Sequence, residues 1–206
     1  MNRNVYLRSL LLFLVAVIIW SWVDASDRPT WWLEAIPVLI GLPVILFTYP
    51  KHPLTTLLYT LLFIHSVILL VGAHYTYAEV PLGDWFKDWF ELSRNHYDRI
   101  GHVAQGFIPA ILAREILLRN KVLKHGIWLF VVVTCICLAF SAFYELIEWW
   151  VAISFDEGAT QFLAMQGDVW DTQWDMFLAL LGAMSALLLL SNWHDKQLQS
   201  MGIAYQ

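Results

Sequence analysis

Charge is scarce in this 206-residue sequence: Asp, Glu, Lys and Arg make up 14% of it, while 59% of the residues are hydrophobic. An ordinary soluble domain carries about 25% charged and about 45–50% apolar residues, so the imbalance excludes a single water-soluble globule. Basic residues are outnumbered by acids, 12 to 17, for a formal net charge of −5. That excludes a nucleic-acid partner, which needs a basic surface. Cysteine is limited to Cys135 and Cys137, whose spacing of two points them in different directions on a helix, so neither a disulfide nor a thiolate metal pair follows. Also missing are the His-Glu-x-x-His of zinc proteases, the Gly-x-Ser-x-Gly elbow and the Gly-x-x-x-x-Gly-Lys phosphate loop. No internal repeat, low-complexity tract or flexible linker divides the chain.

What is present is a series of long apolar blocks. Runs of about 20 apolar residues read as membrane spans, and six can be marked, at about 7–23, 31–49, 54–77, 98–118, 127–152 and 175–193. The expected fold is all-α, a polytopic membrane protein of six transmembrane helices in one membrane domain spanning residues 1–206. The first block follows Arg3 and Arg8, as a signal peptide would, but Trp20 and Trp22 close it and Val23-Asp24-Ala25 is a poor cleavage site. It reads as a retained helix. Pro37, Gly41 and Pro43 predict a kink in the second span.

Orientation follows from the short loops, because Lys and Arg accumulate on the cytoplasmic side. With both termini cytoplasmic, eight of the 12 basic residues lie inside: Arg3, Arg8, Lys51, Arg114, Arg119, Lys121, Lys124 and Lys196. Most acids then lie outside, among them Asp24, Asp27, Glu79, Asp84, Asp88, Glu91, Asp156 and Glu157. Of the 12 tryptophans, only Trp128 and Trp193 fall on the inner side, leaving an aromatic belt at the outer interface. Between the third and fourth spans, Trp85, Phe86, Trp89 and Phe90 share a helical face opposite charged residues, the pattern of a helix lying in the interface.

The residues that membrane energetics would exclude gather at one outer level, since an ionisable side chain in a span costs a few kcal/mol or more. Asp98 and His102 are four apart on one helical face, which Gln105 continues. Glu145 and Glu148 are three apart in the outer part of the fifth span. Asp168, Asp171 and Asp175 lie within about 60° of one another if their segment is helical, and His74, Tyr77 and Glu79 end the third span. Carboxylates so close cannot all ionise beside a low-dielectric layer without a divalent cation, shared protons or arginine partners. Oxygen ligands with an imidazole suit Mg²⁺, Mn²⁺, Zn²⁺ or Fe²⁺. The expected metal ligands are Asp98, His102, Glu148, Asp171 and Asp175, the catalytic groups Glu145 and Asp168, and the substrate-binding groups His74, Tyr77, Arg99 and Gln105. Helix-terminal acids and a structural polar network remain the plain alternatives for single members of this set.

Three stretches carry a resemblance to a known family: Asn95 to His102, Ser141 to Trp150 and Gly167 to Met176, with His74 to Pro81 beside them. They resemble the bacterial inner-membrane family typified by YjdF, and the similarity extends over most of the chain. The resemblance implies a multi-pass inner-membrane fold and no particular reaction. A more distant likeness is to VanZ-like membrane proteins, whose Asp-Lys-x-x-His is similar to Asp98, Arg99 and His102, and whose Asp-x-x-x-Asn-x-x-Gly is similar to Asp175 and Gly182, with Ala179 where the Asn would stand. Gly167, Asp171 and Asp175 also fit half of the alcohol phosphotransferase motif, but its Asp-x-x-Asp-Gly half is missing. Three functions remain open: a metal-dependent hydrolase or transferase acting on a lipid or lipid-linked envelope substrate, a transporter or ion-binding protein, and an envelope scaffold.

Overall fold

The computed structural model describes residues 2–155 and 165–203; Asp156 and Glu157, counted above among the outer acids, lie outside them. Seven α-helices follow one another among these residues: α1 (Arg3–Trp22), α2 (Arg28–Thr48), α3 (Thr56–Tyr75), α4 (Pro81–Trp89), α5 (Tyr97–Arg119), α6 (Ile127–Phe155) and α7 (Asp171–Ser200). A single 3₁₀ turn, Tyr77–Glu79, lies between α3 and α4. Local chemistry sets the starts. The side chains of Asn2, Asp27 and Thr55 accept hydrogen bonds from Asn4, Thr30 and Leu58 backbone N–H groups, satisfying donors that the first helical turn leaves unpaired.

Five of the helices, α1, α2, α3, α6 and α7, are long and apolar enough to cross a membrane. The sixth expected span, α5, has 23 residues, about 34 Å at 1.5 Å per residue, but Asp98, Arg99, Arg114, Glu115 and Arg119 keep it out of that class. It lies at the centre of the bundle. α5 packs chiefly on α7, α6 packs on both, and α1 and α2 each pack on α3, which joins the two groups through α5. The core follows the same division, with Leu58, Ile111, Val133 and Ala183 in one cluster and Leu14, Trp31, Val38 and Leu70 in another.

The α5–α7 contact is backbone on backbone. A Cβ at Gly106 would collide with the Ala179 carbonyl, and one at Gly182 with the Val103 carbonyl. Small residues allow this approach between helices in membranes. The two helices are parallel, because Asp98 and His102 meet Asp175 at one end while Arg114 and Glu115 meet His194 and Asp195 at the other. α4 exposes Trp85, Phe86, Trp89 and Phe90, in line with the interfacial reading. Cys137 is buried, Cys135 exposed, and both are free.

Candidate functional site

The N-terminal ends of α5 and α7 and the C-terminal half of α6 bring Asp98, His102, Glu145, Glu148 and Asp175 together. Two groups of donor atoms, Asp98 with His102 and Asp175, and His102 with Glu145 and Glu148, each lie within 4.8 Å of one another. His102 is the hub: its Nε2 stands 3.5 Å from Asp98 Oδ1, 3.9 Å from Glu145 Oε1 and 3.9 Å from Asp175 Oδ2. Its Nδ1 lies 2.8 Å from Gln105 Oε1. An amide oxygen only accepts, so Nδ1 carries a hydrogen and Nε2 is the ring atom left facing the carboxylates. Thr172 hydrogen-bonds the Glu145 carboxylate, yet Glu145 Oε1 and Asp175 Oδ1 are buried without a hydrogen-bond partner among the described residues.

Beside this group lies an arginine-bound one. Arg94, only 5% exposed, pairs with Asp171, with Asp168 at 3.5 Å and with Asp98 at 3.8 Å. Arg99 donates to Asp168 at 2.6 Å and stacks over the Trp174 ring. Asp168 is therefore engaged by two guanidiniums. It is also not helical: Gln166 and Gly167 take positive φ angles and α7 begins only at Asp171, so the single helical face expected for the three aspartates is replaced by a turn that swings Asp168 toward Arg99. The turn is fastened by Asn95 and Gln166, which exchange backbone and side-chain hydrogen bonds at 2.9 and 2.8 Å.

Of the remaining expected residues, His74 and Tyr77 sit outside the cluster. His74 packs on Trp20 and Tyr75 with Nδ1 3.2 Å from the Ser21 carbonyl. Tyr77 is buried between Gly72 and Gly101, and burial, then the nearby Glu34 carboxylate, pushes its phenol well above the ordinary value. Gln105 serves His102 directly. At the helix start, His96 is held below the ordinary imidazole value by desolvation first and by Arg99 and Arg94 next, with Asp168 opposing.

Two residues central to the geometry were passed over in the sequence. Arg94 looked like one more loop cation. Glu34 sits inside an apolar block, a position that by itself signals function. It is 1% exposed, both carboxylate oxygens lack hydrogen-bond partners among the described residues, and it lies within electrostatic reach of Asp98, Tyr77, Tyr97 and Tyr144.

A second polar group ties the opposite ends of α5 and α7. Glu115 and His194 are both 0% exposed. Glu115 accepts from Thr55 Oγ1 at 2.8 Å, Arg119 at 2.9 Å and His194 Nε2 at 2.9 Å. Arg114 donates to His194 Nδ1 at 2.8 Å and pairs with Asp195 at 2.7 Å. Each group there has a partner, in contrast to the open carboxylates at the other end.

These features define a polytopic helical membrane protein with a buried polar centre at one end of its central helix pair. The chain belongs to the predicted membrane protein family DUF2238, which matches residues 6–196. It is 47% identical over 192 residues to the inner membrane protein YjdF of Escherichia coli (strain K12), covering 93% of this chain and 92% of that protein. No solved structure matches it. The chain is a multi-pass inner-membrane protein.

Proposed function

We propose that the His102 cluster binds a divalent cation and that the protein uses it as a hydrolase or transferase on a lipid or lipid-linked envelope substrate. The observation that carries this reading is the aim of His102 Nε2 at three carboxylates while Gln105 holds Nδ1. Donor atoms about 2.0–2.2 Å from a cation stand about 3–3.6 Å apart, close to the 3.5–3.9 Å found here. A hydrogen-bonded second ring nitrogen is the usual support for a metal-ligating histidine. The contrast between the ends of the bundle supports the same reading, because a scaffold network would be closed, as the one around Glu115 is. Transport has less support: between the two polar groups the α5–α7 seam is filled by Ile108, Ile111, Ala183 and Leu187, all buried.

A cation at this site would polarise a phosphoryl or acyl oxygen and lower the pKa of a bound water. Glu145, with Oε1 unpartnered beside His102, is placed to accept a proton from that water. Arg99 and Trp174 form the accessible edge, where an anionic headgroup would arrive from the interface that α4 lines. Glu34, Asp98, Glu148 and Asp175 complete the acidic surround.

Elemental analysis of the purified protein tests the proposal, with one Zn, Mn, Mg or Fe expected per chain. At a free cation concentration 100 times Kd, binding stabilises the fold by about 2.7 kcal/mol, so chelation lowers the melting temperature by about 5–10 °C. H102A and E148Q abolish both the metal content and the chelator effect. A metal-free wild-type protein whose melting ignores chelator would overturn the reading.

A further inference from the structure

The N-terminal helices enclose a separate space that the polar cluster does not reach. α1 and α2 both pack on α3 and meet each other chiefly around Ser21, Trp22 and Trp31 at the far end, leaving a crevice of about 410 Å³ between them with α3 as its floor. The walls are almost wholly aliphatic and aromatic, with Asn4, Arg8, Tyr49 and Tyr59 at one end. Arg3, one turn before, is committed to Thr56 and the Leu54 carbonyl. Arg8 is exposed and has no partner among the described residues. Along α3 the lining runs from Tyr59 to Leu69, about 15 Å at 1.5 Å per residue. That is half of the about 30 Å hydrocarbon layer, the depth of one leaflet.

We infer that this crevice holds one acyl chain of an anionic phospholipid, with the headgroup phosphate at Arg8. Three features select that occupant. The wall chemistry suits an alkyl chain, the length suits one leaflet, and the unpaired cation sits at the end where a headgroup would lie. Deeper in the crevice, the Ser66 hydroxyl is committed to the Leu62 carbonyl and His65 Nε2 has no partner, so an alkyl chain displaces no bond there. This inference is independent of the cation reading.

The test uses the full chain in nanodiscs of phosphatidylglycerol and phosphatidylcholine with equal acyl chains, followed by native mass spectrometry of the lipid retained on release. The wild-type protein keeps one lipid, with about a fivefold preference for phosphatidylglycerol, the value of one cation near an anionic surface. R8Q removes the preference. A Cβ at Gly41 meets nothing within 4 Å, so G41F fills the crevice without a clash at the backbone; it loses the retained lipid while its melting temperature holds. H65A changes neither quantity. Equal retention of both lipids by the wild type, undiminished retention in G41F, or loss on H65A, which would mark a ligand with a polar group at that depth, each overturns the inference.

Discussion

Glu34 illustrates what single residues contribute to this molecule. Its carboxylate is buried without a hydrogen-bond donor, and a group left so costs on the order of 1–3 kcal/mol or more. Replacing it with the similarly shaped, apolar methionine should therefore raise stability by about that amount and impair the function of the cluster, which thermal melting and metal content would measure together. An E34M protein that melts lower would show a donor at Glu34. His96 gives a pH-dependent case. Because its folded-state value lies below the ordinary one of about 6.5, the stability tied to it is retained above that pH and falls as the pH drops through the lowered value. R99Q removes one of the two cations responsible, and the His96 titration followed by NMR should move back up. These residues also mark the reach of sequence reading. Asp98 with His102, and Glu145 with Glu148, were legible because helical spacing puts them on common faces. Arg94 was not, since its partners Asp168 and Asp171 lie more than seventy residues away, and contacts such as the Asn95–Gln166 clasp that bring the two loops together have no local signature.

At the scale of elements, the apolar blocks marked all the long helices, and the amphipathic helix α4 was legible from its aromatic face. The least apolar helix, α5, turned out to be central. Its charges are tolerated because α7, the Thr55 cap of α3, and Arg94 and Asp168 in the flanking loops supply their partners, and no local pattern reveals such pairing. The α5–α7 seam depends on Gly106 and Gly182, so G182L should drive the helices apart, costing about 1–3 kcal/mol as an overpacked core does and disturbing the polar groups at both ends. G41A, which meets open space, should be neutral or stabilising by up to about 1 kcal/mol. Melting curves of the pair separate a packing effect from a general intolerance of substituted glycines; equal losses would refute the seam argument.

For the whole molecule, six crossings, α5 included, is the expectation that the parallel run of α5 and α7 leaves to be tested. Cysteine substitution at Lys121 and near either terminus should give labelling from the cytoplasmic side alone, and a position in the Asp84–Asp88 segment labelling from the other; Lys121 reacting from outside would invert the orientation and the site with it. The division of partners between α5 and α7 also bears on how the chain is made. α5 is less apolar than the other long helices, and His194 and Asp195, which complete one of its ends, lie about 80 residues further along the chain. With α5 as one of the crossings, the nascent chain would carry unpaired charges at membrane depth until α7 is made, so stable integration of its centre would wait on that helix, and a product truncated before α7 would present those charges to membrane quality control.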